Sequence, residues 1–242
     1  MNKAKILILL ISLALFTKIF GQRETTKNLP KFDHRFMHFG FLLGINSADF
    51  RMERFARNDL TTGADSLFVL DPKSAVGFNL GIISAMHFSP AFSLRFTPNL
   101  AFASRNLIYT FETFEGEKQY TKVIESTLVN FPLSIKYKSV RLNNFSAYIL
   151  AGGAYSIDLA SNAGTDNISK DPNDLFVALK KGDYLAEVGF GTDFYLEYFK
   201  FGIELKMSYG IKNILYQDNT QFSSPIDKIN SKMFLLSLTF EG

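Results

Sequence analysis

The stretch that most constrains the fold is Phe145–Ser161, FSAYILAGGAYSIDLAS. Phe145, Ala147, Ile149, Ala151, Tyr155, Ile157 and Leu159 share one parity; Ser146, Tyr148, Gly152, Ala154, Ser156 and Asp158 share the other. A period of two puts one set on each face of an extended strand. Strands of globular proteins usually run about five or six residues, whereas a tilted strand that crosses a bilayer needs about 9–11. This stretch is long enough to cross.

The same alternation recurs along the chain. It predicts strands over 36–50, 74–89, 92–112, 122–138, 145–161, 182–197, 199–213 and 230–241. Long connections are expected at 51–73, 162–181 and 214–229, a shorter one at 113–121, and a turn of helix within Asp174–Lys181. Tight turns are expected at Pro90–Ala91, after Lys138 and at Tyr198. Outer-membrane barrels alternate short periplasmic turns with long outside loops in this way, and an even strand count returns both termini to the periplasm. Phe36, Phe88, Phe92, Tyr137, Phe145, Phe194, Tyr198, Phe199 and Phe240 gather at the short-turn ends, where an aromatic girdle would meet the water–lipid boundary.

Alternation alone does not say which face is outside, since a secreted ligand-binding barrel also alternates. The strand glycines decide. Gly40, Gly44, Gly77, Gly81, Gly152, Gly189, Gly191, Gly202 and Gly210 all take the polar parity, with Gly153 the exception. A small barrel has room inside only for packed side chains, so the glycine-lined face is read as the lumen and the Phe/Leu/Ile face as the lipid wall. Pro98 and Pro132 fall within strands and are each expected at a bulge or break.

The N-terminus carries Lys3 and Lys5, then the apolar run ILILLISLALF from Ile6 to Phe16. This is the pattern of a secretory signal peptide, with cleavage expected between Gly21 and Gln22. The run is short for a membrane-spanning anchor. Residues 1–21 are thus read as signal, 22–35 as a flexible, mildly basic periplasmic lead-in, and 36–242 as one barrel domain. The expectation is an all-β, eight-stranded antiparallel up-and-down transmembrane β-barrel of the outer-membrane type, after a cleaved signal peptide.

Net charge is +3, too small to point to nucleic acid, and Cys is absent, which excludes disulfides and cysteine-based metal sites. By parity Arg95, Arg105, Lys136, Asp158, Asp183, Glu187, Asp193, Glu204 and Lys206 face inward, where buried charges need partners. They are read as a lumen charge network rather than a selective pore. His38 and His87 are read as a lumen polar pair, not a metal or catalytic site, because no carboxylate or Ser sits at a diagnostic spacing beside them. No phosphate loop, nucleophile elbow or zinc motif occurs. The chain is therefore expected to be non-enzymatic and to need no cofactor, with a lipid-modifying enzyme as a weaker alternative.

The segments VIESTLVNFPLSIKYKS from Val123, FNLGIIS from Phe78 and LRFTPNLAFASRNLIY from Leu94 resemble the PorT/SprT family of outer-membrane barrels. The likeness is most specific at Phe131-Pro132-Leu133 and Lys136-Tyr137-Lys138. The resemblance implies an outer-membrane protein of Bacteroidota, required for the type IX secretion system and for delivery of gliding-motility adhesins where these exist. It implies other type IX components as partners beside outer-membrane lipid, and it supplies no catalytic motif. A structural or adhesive barrel that binds an outside ligand through its long loops is the second expectation.

Overall fold

The computed structural model describes residues 26–54, 66–113, 116–165, 175–218, 220 and 222–242. The signal segment and the cleavage position at Gly21 and Gln22 lie outside the described residues. A 3-10 turn, Phe32–His34, precedes the strands β1 (Met37–Arg54), β2 (Ser66–His87), β3 (Phe92–Phe96), β4 (Asn99–Thr113), β5 (Gly116–Lys138), β6 (Phe145–Asp158), β7 (Gly182–Tyr195), β8 (Lys200–Gly210) and β9 (Ile226–Glu241). All neighbours pair antiparallel, and β1 bonds both β2 and β9, so the sheet closes on itself. β3 and β4 form one stave interrupted at Thr97–Pro98, which makes an eight-strand ring. Closure gives the strands of the lower wall a partner on both sides, so that no edge there faces lipid. Among the described residues no helix is long and apolar enough to cross a membrane.

The wall has the orientation that the glycines indicated. Phe39, Phe78, Ile82, Leu133, Ile149, Val188 and Phe190 are exposed, while Arg95, Lys136, Asp193 and Glu204 are buried inside. Cross-strand aromatic pairs Phe92–Tyr137, Phe145–Phe194 and Phe199–Phe240, with centroids 4.8, 5.4 and 5.9 Å apart, run round the short-turn end.

Several boundaries differ from the sequence expectation. Residues 51–54 and 66–73 belong to β1 and β2, and β5 begins at Gly116, so the connections over 51–73 and 113–121 are largely strand. β8 stops at Gly210. Residues 175–181 form no helix; Leu179 instead makes an isolated bridge with Leu215.

The two strand prolines share one solution. Pro98 sits in the break between β3 and β4, as expected. Pro132 makes no bulge: β5 keeps its register through Leu133↔Phe96 and Asn130↔Asn99. Its carbonyl accepts from the Thr97 amide at 3.1 Å. The N and O of a strand residue point to the same side, so the N–H that Pro132 lacks faces the interruption, where no ladder bond is due.

Hydropathy reverses towards the long-loop end. Along the lower wall the apolar residues of this stave point outward at Phe92, Phe96, Leu100 and Phe102, but farther up Leu107, Tyr109 and Phe111 are buried inward. Phe50 on β1 and Ile226 and Ile229 on β9 turn inward at the same level, while Arg51, Glu53, Asp71, Lys73, Glu117 and Glu125 face out. The physical cause is a change of outside solvent from hydrocarbon to water. The staves outgrow the bilayer, and above it the sheet obeys the rule of a soluble barrel, apolar side in. The expected glycine-lined polar interior therefore holds only for the lower part.

Candidate functional site

Parity along β3, β5, β7, β8 and β9 aims Arg95, Lys136, Glu187, Asp193, Lys200, Glu204, Lys206 and Glu241 into one lumen level. Arg95 meets Glu204 at 2.6 Å and Glu241 at 3.6 Å. Lys200 meets Glu241 at 2.9 Å and Asp193 at 3.7 Å, and Lys136 meets Asp193 at 2.8 Å. Lys206 holds Glu187 at 3.0 Å, and the Ser208 hydroxyl donates to the same carboxylate at 2.8 Å. Four cations thus face four carboxylates. The Tyr148 hydroxyl donates to Glu204 at 2.9 Å, with Lys136 Nζ 3.5 Å from its ring centroid. Gly191 admits that ring: a Cβ there would lie 2.5 Å from the Tyr148 hydroxyl.

Arg105 and Asp158, assigned to the same network from sequence, lie one level up and outside it. Arg105 donates to the Ser126 hydroxyl at 3.1 Å and stacks 4.7 Å from the centroid of the Phe50 ring. Asp158 accepts from the backbone amides of Ala160 at 2.9 Å and Thr127 at 3.2 Å, tying the top of β6 to β5. Between the two levels four asparagines bridge the barrel: Asn46 donates to Asn79 at 2.6 Å, Asn79 to Asn99 at 3.3 Å, and Asn130 to Asn99 at 3.0 Å. A cavity of about 40 Å³ lies among Asn79, Asn99, Arg105, Asn130, Asp183 and Glu187, with room for water molecules rather than a solute.

The lead-in is not free over its described part. Phe32 is buried, stacks on His38 at 3.7 Å and sits edge-on to His87 and Tyr195. His38 and His87 lie 4.9 Å apart, centroid to centroid, and the His38 Nε2 bonds the Phe32 carbonyl at 2.7 Å. The expected polar pair is thus brought together, but as the seat of a plug. Asp33 bonds Lys138 at 2.5 Å and accepts from the Tyr195 hydroxyl at 3.1 Å. Arg141 reaches the backbone carbonyls of Asn28 and Leu29, and the Asn28 side chain donates to the Tyr195 carbonyl at 3.0 Å. Burial pushes the Asp33 carboxyl up, but the hydrogen bond and charge of Lys138, with Tyr195, outweigh it and hold the group below its ordinary value.

The opposite mouth closes differently. Val177, Leu179, Ile214, Leu215 and Phe222 from the connections pack on Phe50, Leu70, Leu107, Tyr109 and Phe111 from the strands. The Tyr109 hydroxyl donates to the Phe222 carbonyl at 2.9 Å. The lumen is therefore filled from end to end: a plug, an ion network, an amide ladder and an apolar cap. The four carboxylates of the ion network are neutralised by cations and removed from solvent. Among the described residues no three His, Asp or Glu side chains gather as metal ligands.

Sequence reasoning missed Lys138, Lys200, Glu241, Tyr148 and Tyr195 as partners, although parity places each of them inward beside an outward Tyr137, Phe199, Phe240, Ile149 or Phe194. Asp33 and Phe32 carried no such signal, because the lead-in has no periodicity.

Residues 20–216 match the family model described as outer membrane protein beta-barrel domain. No curated protein matches the chain. Among solved structures it is similar to Neisserial surface protein A, at 11% identity over 83% of this chain and 95% of that one, TM-score 0.44. It is also similar to the outer membrane protein OprG from Pseudomonas aeruginosa, at 13% identity over 85% and 94%, TM-score 0.37. A third is the outer membrane protease OmpT from Escherichia coli, at 10% identity over 90% and 98%, TM-score 0.45. On the extent of the family match, this chain belongs to the outer membrane protein beta-barrel domain family.

Proposed function

We propose that this protein is a non-enzymatic outer-membrane barrel that serves type IX protein secretion as an accessory or assembly component, and delivery of gliding adhesins where present. The short-turn end and both termini face the periplasm; the long-loop end faces outward. The observation that carries the reading is the filled lumen. A barrel plugged by Phe32 and capped around Phe222 offers no conduit for cargo, so its contribution lies in its surfaces. The resemblance of Val123–Ser139 and the segments around Phe78 and Leu94 to the PorT/SprT family supplies the secretion system. A clean deletion tests it: cargo proteins should stay in the cell and return to the medium on complementation. Normal secretion in the deletion strain rejects the role.

The upper strands favour a second reading, a surface barrel that binds an outside ligand. They project past the bilayer with a water-facing exterior. Shortening the connections between β1 and β2 and between β6 and β7 separates the two: binding falls while the secretome stays intact.

A further inference from the structure

The staves do not end at one height. The last β5–β6 pair is Leu128↔Asp158, after which the Leu159 amide bonds the Thr127 carbonyl and the chain turns away. β5 nevertheless runs on to Gly116, held on its other side by β4 down to Thr113↔Gly116. Backbone direction alternates with parity. Pro132 directs its carbonyl to the β3–β4 side and Thr127 its carbonyl to the β6 side, so Thr121, Val123 and Glu125 also point their N–H and C=O groups to the β6 side. Among the described residues no strand pairs with them there, and their side chains are exposed. A groove of about 510 Å³ runs between these residues and the segments at Ala160–Asn162 and Leu175–Val177. An open strand edge beside a groove is the geometry that captures an extended peptide as an added strand.

We infer that this upper β5 edge is a docking site for an extended peptide segment of a partner protein, entering by strand addition with basic side chains at its two ends. The charge pattern selects the occupant. The outward residues are Glu117, Gln119, Thr121, Val123 and Glu125. Opposite charges across a strand pair stabilise and like charges destabilise. A second copy of this chain, paired antiparallel about Thr121, would set Glu117 against Glu125 twice, which disfavours a homodimer at full overlap. A strand with Lys or Arg eight positions apart, and β-branched residues between, meets both acids and covers Thr121 and Val123. The surface is defined by barrel geometry alone and is independent of the secretion role.

The test is amide hydrogen exchange by NMR on the full barrel in detergent micelles, with the synthetic peptide KTVTVTVTK as probe and ETVTVTVTE as control. In the free protein the amides of Thr121, Val123 and Glu125 should exchange fast while those of Lys122 and Ile124, bonded to β4, exchange slowly. The basic probe should slow the three odd amides by about tenfold or more, as backbone pairing protects; the acidic control should not. Val123→Pro removes an N–H that no wall strand uses, so the barrel still folds and the probe is lost. Glu117→Lys with Glu125→Lys should reverse the preference between the two peptides. Odd amides already slow without peptide, equal protection by both peptides, or unchanged binding to Val123→Pro would each overturn the site.

Discussion

At the scale of single residues the lumen is a set of charges that stay buried only because they stay together. Arg95 is the hub, touching Glu204 and Glu241 at once. Arg95→Met leaves Glu204 without its cation and Glu241 with Lys200 alone, and should cost about 3–5 kcal/mol, read as a lower urea midpoint for the barrel refolded in lipid vesicles. Adding Glu204→Leu should recover part of that loss, because a buried pair replaced whole by apolar side chains is often near neutral. Arg105→Ala should cost less, about 1–3 kcal/mol, since it forfeits one charged hydrogen bond to Ser126 and leaves no ion-paired acid behind. Gly191→Ala pushes a methyl to 2.5 Å from Tyr148 and 2.6 Å from the Ile203 carbonyl; about 1–3 kcal/mol of overpacking is expected in the same assay. Parity made most of these residues legible in the sequence. Which acid meets which base was not, because partners such as Arg95 and Glu204 lie 109 positions apart and the match depends on register round the ring.

At the scale of elements the lead-in is the part whose attachment depends on a few contacts. Phe32→Ala should free it, seen as faster protease cleavage near His34 with the wall strands intact. Its pH response follows from Asp33. The carboxyl titrates below its ordinary value in the folded chain, so the unfolded or undocked segment binds the proton first as pH falls. Docking is then at full strength above pH 3.8 and is lost as pH drops through the lower folded value. Protease protection of the lead-in should therefore persist at neutral pH and fade in strong acid, and Asp33→Asn should weaken it at neutral pH and flatten the dependence. The strands themselves were legible, since period two is local. Their upper limits were not: at Leu107, Tyr109 and Phe111 the apolar parity switches sides, which reads as a broken pattern until the outside solvent is known to change.

At the scale of the whole molecule, two closures turn a barrel into a solid post. Purified protein in planar bilayers should show no steady conductance, and none should appear in Phe32→Ala while the cap around Phe222 holds. On the proposed secretion role, Arg105→Ala should leave cargo export near normal in cells while the barrel's stability falls, and deletion should abolish export; equal loss in both would move the role from the surfaces to the lumen. The cap was illegible in sequence because Val177, Leu179, Ile214, Leu215 and Phe222 sit in aperiodic connections, where a hydrophobic residue gives no direction.

The order of residues alone determined that long amphipathic strands must close in a membrane, for backbone groups in hydrocarbon have no other partners, and that glycine parity marks the crowded side. Only the folded ring decided which charges pair, that Phe32 and Phe222 stop its two mouths, and that β5 outlasts β6. Those features depend on distances between segments far apart in the chain, and on how tall each stave stands beside its neighbour.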